Sequence, residues 1–269
     1  MKCKICSGNL KIVASFNKKQ LNENLFGLEK FKKFKRSIIK CKKCGHYSNQ
    51  HNYSSFLNKV YEKDYSRLSY GKISKKFESV NQLPKQKSSN FHRCKFINSY
   101  KKFNENKKLL DIGAGFGIFV FLMKKMGWRV RALEVNHQLC NFISKKLQVR
   151  IIKSSILDNK FQKKEKYDLI TLNKVLEHFN FINIKKILKK LKKILETNGK
   201  IYIEIPNGEA ASKKGFHRQE FFLEHYNIFS PRSIKLLLEQ LNYKIIKLQK
   251  LREITGKYAI RIIAQPNHD

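Results

Sequence analysis

Two sets of residues in this chain have the types and spacing to do chemistry. The first is Asp111 followed by Gly113, Gly115 and Gly117, with one acid, Glu134, at the end of the next alternating apolar segment. Glycines let a main chain pass close to a ligand, and an acid at the end of a second strand can accept both hydroxyls of a ribose. The pattern points to a bound nucleoside. A dinucleotide fingerprint would put its third glycine at Ile118, so the loop does not match one. The bland alternative is a tight strand-to-helix turn that holds no cofactor.

The second set is thiol. Cys3-x-x-Cys6 and Cys41-x-x-Cys44-Gly45 are knuckles that can each put two thiolates on one metal, and four thiolates close the tetrahedral shell of a structural zinc site. A reducing compartment argues against disulfides. His46 and His51 lie close by in sequence, but four thiolates leave them no vacancy. Cys94 and Cys140 stand alone and read as small buried residues.

These residues need elements to position them. Leu109-Leu110 leads into the glycine turn, Ile118, Phe119, Phe121 and Leu122 follow at helical spacing, and Val130, Ala132 and Val135 alternate as in a strand. That is one βαβ unit over 107–136. Next come a helix from Gln138 to Leu147, a strand at Val149–Ile152 and another at Tyr167–Leu172. An amphipathic helix then spans Ile182–Leu195, with Ile184, Ile187, Leu188, Leu191, Ile194 and Leu195 on one face and lysines on the other. Asn198-Gly199 is expected to end it, ahead of a strand at Lys200–Ile205. Ser230 and Pro231 open a last helix, and Tyr243–Leu248 and Tyr258–Ile263 read as a closing antiparallel pair. The fold class is α/β, a Rossmann-like doubly wound seven-stranded sheet with a small N-terminal zinc-ribbon-like lobe. The expected organisation is the lobe at 1–50, a helical linker or cap at 51–106 and the nucleoside-binding domain at 107–269. In the linker, Tyr53, Tyr61, Tyr65, Tyr70 and Phe77 either cover the cofactor mouth or pack as a satellite cluster.

Composition sets the bounds. Lys and Arg number 58 against 20 acids, a net charge of +38. Such a field attracts polyanions, but the basic residues are mostly lysine and spread along the chain, which suits compositional drift better than an arginine-rich phosphate site. The lysine face of the 182–195 helix reads as a solvated face. No apolar run approaches the ~20 residues of a membrane span, and MKCKICSG lacks the apolar core of a secretion signal. The expectation is a soluble, cytoplasmic protein.

The segments CKKCGHYSNQ, VYEKDYSRLSYG, LLDIGAGFGIF, YDLITLNKVLEHF, GKIYIEIPN and EHYNIFSPRSI occur in this order. The chain thereby resembles class I S-adenosylmethionine-dependent methyltransferases, in particular a bacterial subfamily with an N-terminal zinc-binding lobe. That subfamily includes sugar C-methyltransferases and proteins of surface-polysaccharide and natural-product gene clusters. The resemblance implies S-adenosylmethionine as cofactor and structural Zn2+ on Cys3, Cys6, Cys41 and Cys44. It implies that Asp111, Gly113, Ala114, Gly115 and Gly117 cradle the methionine part, that Glu134 holds the ribose, that Ser155 and Ile156 flank adenine, and that Asn173 and Lys174 lie near the sulfonium. Where the family commonly carries an Asp, this chain has Ser155, with Asp158 offset.

A second departure bears on the acceptor. The sugar C-methyltransferases carry Tyr-His-Glu-His before the last helix; here the run is Phe222-Leu223-Glu224-His225. Proton abstraction from carbon needs a placed base, so loss of the phenol favours O- or N-methylation over C-methylation. His178 and His225 are the candidate bases, with Glu224 or Glu177 as orienters. His217 and Arg218 are candidates for holding an anionic group. The expected acceptor is a small molecule or glycan. RNA, or no catalysis at all in a zinc-bearing binding module, are the alternatives.

Overall fold

The computed structural model describes residues 2–19, 23, 34–53, 57, 72–99, 107–158 and 165–267. The expected helix around Phe56, Val60 and Tyr61, and the linker aromatics Tyr61, Tyr65 and Tyr70, lie outside these residues. A seven-stranded sheet runs β10-β11-β8-β7-β4-β5-β6, built from β4 (Lys108–Ile112), β5 (Arg129–Glu134), β6 (Arg150–Lys153), β7 (Tyr167–Asn173), β8 (Leu195–Pro206), β10 (Tyr243–Arg252) and β11 (Tyr258–Pro266). β4 pairs in parallel with β5 and with β7, and β5 with β6, while β10 and β11 form the antiparallel pair. This is the expected doubly wound arrangement. The chain divides into two compact units.

One unit holds residues 58–173 and 189–202. Its helices include α1 (Ile73–Asn81), α2 (Ser89–Asn98), α3 (Ile118–Lys125) and α4 (His137–Leu147). The Ser88 hydroxyl caps α2 by accepting the Phe91 N–H, and Asn136 caps α4 by accepting from Gln138 and Leu139. Phe77 of α1 packs edge-on against Phe121 and Phe142. Cys94 and Cys140 are buried, as expected.

The other unit gathers residues 1–57, 174–188 and 203–269. Its second sheet runs β1 (Leu10–Phe16), β2 (Arg36–Cys41), β3 (Tyr47–Gln50) and β9 (Asn227–Ile228), all antiparallel. Ile38, Tyr47, Ala211, Phe221 and Ile228 form its core. The unit also carries α6 (Gly208–Ser212) and α7 (Pro231–Gln240), the latter opened by a Ser230 capping box with Pro231 in its first turn. Tyr53, the remaining linker aromatic, stacks on Phe34 and His51 in this unit.

The amphipathic helix, α5 (Phe181–Lys193), lies where the periodicity puts it: Ile184, Ile187, Leu188, Leu191 and Ile194 are fully buried. Its end is corrected. The helix stops at Lys193 and β8 already starts at Leu195, so Asn198-Gly199 lies inside the strand rather than capping the helix. A Cβ at Gly199 would meet the Tyr167 carbonyl oxygen at 2.8 Å, so the glycine serves close main-chain approach.

Candidate active site and metal centre

At the end of β4 the chain turns through Gly113, Gly115 and Gly117, with φ of 71°, 53° and 75°. These left-handed values favour glycine. A side chain at Gly117 would also strike Leu147 and Ile143 of α4 at 2.6 and 2.9 Å, whereas the side of Gly115 opens onto free space. The loop is pinned below by Gly113 N–H donating to the Leu133 carbonyl at 2.8 Å. Above, Gly115 N–H donates to Glu134 Oε2 at 3.0 Å, and Val135 and Asn136 donate to Oε1. Burial nevertheless pushes the Glu134 carboxyl above its usual range, the three amides pulling the other way. Oε2 keeps acceptor capacity for a hydroxyl. The backbone cradle, the open side at Gly115 and the acid beside it fit a nucleoside cofactor.

Asp111 is 1% exposed. Its Oδ1 accepts from Thr171 Oγ1 at 2.6 Å and from Asn173 Nδ2 at 2.9 Å. Burial raises its pKa to about 7 against these two bonds. Thr171 was not anticipated, yet it sits two residues before Asn173 on a strand, hence on the same face. Ile156 is buried, Ser155 is half-exposed, and Asp158 turns its carboxylate back to accept from Ser155 N–H and Ser154 Oγ. Asp158 thus braces the loop that holds Ser155 and Ile156.

In the other unit, Lys174 adopts φ 57° and its Nζ pairs with Glu253 at 2.7 Å and Glu204 at 3.6 Å. Glu204 also takes Arg261 at 2.7 Å. Sequence alone gives no signal for this buried network, whose members come from four separate segments. Beside it, Glu177, His178 and His225 bring one ligand atom each within 4.8 Å of one another. The imidazoles meet edge-on at 4.9 Å. His178 Nδ1–H donates to the Glu224 carbonyl and His225 Nδ1–H to the Glu220 carbonyl, both at 3.0 Å. Burial lowers the His178 pKa to about 4 and carries His225 well below its ordinary value, so both rings are neutral near pH 7. It is the main chain of Glu224, not its carboxylate, that orients His178. That carboxylate is raised to about 7 by burial. Phe222 is 6% exposed.

The loop 219–226 that carries Glu224 and His225 is gripped from the N-terminal lobe. Asn49 of β3 donates to the carbonyls of Phe221, Phe222 and His225 at 3.2, 2.9 and 2.8 Å. Arg36 of β2 reaches the Phe221 carbonyl and pairs with Glu23, which accepts the Leu223 N–H. His46 and His51 bond to Asn227 and the Leu223 carbonyl, so both brace this region and neither stands with the thiols. Arg218 is held by Glu220 and the Gly256 carbonyl and lies over Tyr258. His217 meets the Phe16 ring edge-on.

Cys3, Cys6, Cys41 and Cys44 cluster with their sulfurs within 4.8 Å of one another, Cys3–Cys44 at 3.7 Å and Cys6–Cys41 at 3.5 Å. Four sulfurs at ~2.3 Å around a tetrahedral ion are about 3.8 Å apart, so the cluster has the dimensions of a zinc site. Amide N–H groups of Ile5 and Cys44 aim at Cys3 and Cys41 sulfur. Burial pushes Cys3 and Cys44 up; at Cys41 burial is outweighed by N–H donation from Cys44 and Lys43, which holds it at about 7.

Residues 81–248 match the methyltransferase-domain family, and the chain belongs to that family. Its fold is that of the class I S-adenosylmethionine-dependent methyltransferases. The chain is 35% identical over 138 residues to an uncharacterized protein of Methanocaldococcus jannaschii, covering 50% of this chain and 55% of that one. It is 31% identical over 114 residues to a ubiquinone biosynthesis O-methyltransferase of Pelagibacter ubique, covering 41% and 47%. The chain thus spans about half the length of these curated relatives. Among solved structures, the 1,6-didemethyltoxoflavin-N1-methyltransferase of Burkholderia thailandensis, with 1,6-didemethyltoxoflavin and S-adenosylhomocysteine bound, superposes with a TM-score of 0.57 at 13% identity, covering 86% of this chain and 96% of that one. Among the described residues no helix is long and apolar enough to cross a membrane.

Proposed function

We propose that the chain is an S-adenosylmethionine-dependent methyltransferase acting on an oxygen or nitrogen of a small-molecule or glycan acceptor. The observation that carries this reading is the glycine cradle with Glu134 at the next strand end, in a methyltransferase fold. Asp111, Gly113, Ala114, Gly115 and Gly117 would hold the methionine part, Glu134 the ribose, and Ser155 and Ile156 the adenine, with Asn173 and Lys174 toward the sulfonium. The cofactor supplies an already activated methyl group, so the protein's work is alignment, exclusion of water and handling of one proton. Neutral imidazoles suit that last task. Each donates Nδ1–H to a carbonyl, so each carries its lone pair on Nε2 and can accept a proton from a hydroxyl or amine. The buried Phe222 leaves no phenol where the sugar C-methyltransferases have one, which supports oxygen or nitrogen over carbon.

Isothermal titration of the zinc-loaded protein with S-adenosylmethionine tests the reading. Binding is expected, and heat-silent mixing at high protein concentration would sink it. RNA is separated from small acceptors by affinity at physiological salt. Non-specific attraction by the lysines keeps Kd at about 1–100 μM and falls steeply with salt. Nanomolar binding to a particular RNA would replace the proposed acceptor class.

A further inference from the structure

Glu177 is fully buried, and neither of its carboxylate oxygens has a hydrogen-bond partner. A buried polar group normally finds one, because leaving it bare costs the full desolvation of the group. Burial raises its pKa to about 8, so near neutral pH the carboxyl is largely protonated. Its O–H gains an acceptor only if a side chain turns to bring an imidazole lone pair into reach, and a metal ion bound there would displace that proton. The nearby ammonium of Lys174 is engaged by Glu204 and Glu253. What does face Glu177 is the pair of imidazoles, with one ligand atom from each of the three side chains inside 4.8 Å.

One nitrogen of each ring is engaged as the non-ligating nitrogen of a metal-binding histidine usually is. A ligating imidazole donates its other N–H to a carbonyl or carboxylate, which fixes the tautomer and aims the lone pair. His178 does so to the Glu224 carbonyl and His225 to the Glu220 carbonyl, each from Nδ1 at 3.0 Å. Residues His178 and His225 each keep some solvent exposure, while Glu177 has none.

We propose that Glu177, His178 and His225 form a binding site for one divalent first-row transition-metal ion, separate from the four-thiolate cluster. Two imidazole nitrogens and a carboxylate suit Zn2+, Co2+, Fe2+ or Ni2+ and disfavour Mg2+ and Ca2+, which take oxygen ligands. Ligands ~2.1 Å from one ion are at most ~4.2 Å apart, so a small rotation of these side chains closes the set. An ion there would satisfy the bare carboxylate and leave open positions for a ligand. It would also occupy the Nε2 lone pairs, so metal binding and proton acceptance by the same ring exclude each other.

The test is cobalt titration of the full chain whose thiolate site is already filled with zinc. Thiolate ligation gives sulfur-to-cobalt charge-transfer absorption, and a two-histidine, one-carboxylate site gives ligand-field bands without it. The expected result is one equivalent of Co2+ bound without the sulfur band. Glu177→Gln and His225→Ala should each weaken it at least tenfold, while His92→Ala, on an exposed surface histidine, leaves it unchanged. Retained zinc and an unchanged circular dichroism spectrum show that each variant has folded. Uptake of cobalt solely with the sulfur band overturns the site, as does binding without that band that survives Glu177→Gln and His225→Ala or is lost in His92→Ala. Methyl transfer plays no part in these readings, so failure here leaves the cofactor assignment standing.

Discussion

Asp111 takes both of its hydrogen bonds on one oxygen from neutral donors, Thr171 and Asn173. Its pKa of about 7 exceeds the unfolded value of 3.8, so the native chain keeps a proton that the unfolded chain releases between those limits. The carboxyl therefore costs the fold stability as pH rises through that window. In Asp111→Asn the penalty is gone. The variant should gain stability relative to the parent as pH rises from about 4 to 7 and keep a constant difference above, measured by urea unfolding at several pH values. Glu134 predicts a binding effect instead. Removing its acceptor oxygens in Glu134→Ala should weaken S-adenosylmethionine by about 10- to 100-fold in calorimetry, the scale of one or two charge-assisted hydrogen bonds. At this scale the sequence was informative about identity and mute about environment. The order Asp, Gly, Gly, Gly, Glu suggested a nucleoside loop, and the glycine turn with Glu134 bonded to Gly115 is present. Nothing in VLEH told that Glu177 is wholly enclosed while His178 is half-open, because burial is set by segments far away in the chain.

Among the elements, α7 ties the last third of the chain to the thiol cluster. Ser230 Oγ accepts the Ser233 N–H at 3.0 Å and donates to the Cys44 carbonyl at 2.6 Å, and at the other end Gln240 donates to the Ile5 carbonyl at 2.8 Å. One hydroxyl thus caps a helix and fastens the second knuckle. Ser230→Ala should cost about 1–2 kcal/mol, seen as a fall of roughly 2–8 °C in Tm, with the zinc retained. Helices such as α5 and α7 were legible because a 3.6-residue apolar stripe or a Ser-Pro start is written locally. β3 and β9 were not. Tyr-Ser-Asn-Gln and Asn-Ile are short, mostly polar strands whose pairing of Tyr47 with Ile228 joins residues about 180 apart. The misplaced end of α5 has the same origin: Asn-Gly is a common stop signal, but close approach of Tyr167 claimed that glycine for a strand.

Over the whole molecule, the thiol cluster does more than staple the first fifty residues. Its sheet carries Asn49 and Arg36, which grip the loop bearing Glu224 and His225. Loss of one thiolate should therefore be felt well beyond the knuckles. Cys41→Ser is expected to lose the thiolate-held zinc, read by metal analysis, and to lower Tm by at least about 5 °C, consistent with loss of a metal-coupled folding term. Retention of zinc at full stoichiometry would contradict a four-thiolate site. The +38 charge was visible from composition alone, while the ion pairs Lys174–Glu253 and Arg261–Glu204, which add nothing to that net charge, were not.

The outermost strand of the N-terminal sheet, β9, is made of residues 227–228. A ribosome releases the first three strands of that sheet long before it has synthesised the fourth. During synthesis β3 therefore waits as a bare edge, with Asn49 lacking its carbonyl acceptors, until residues 221–228 have emerged. Early metal capture at the knuckles would hold the nascent lobe in register through that interval. The sheet is thus begun at residue 10 and completed only at residue 228.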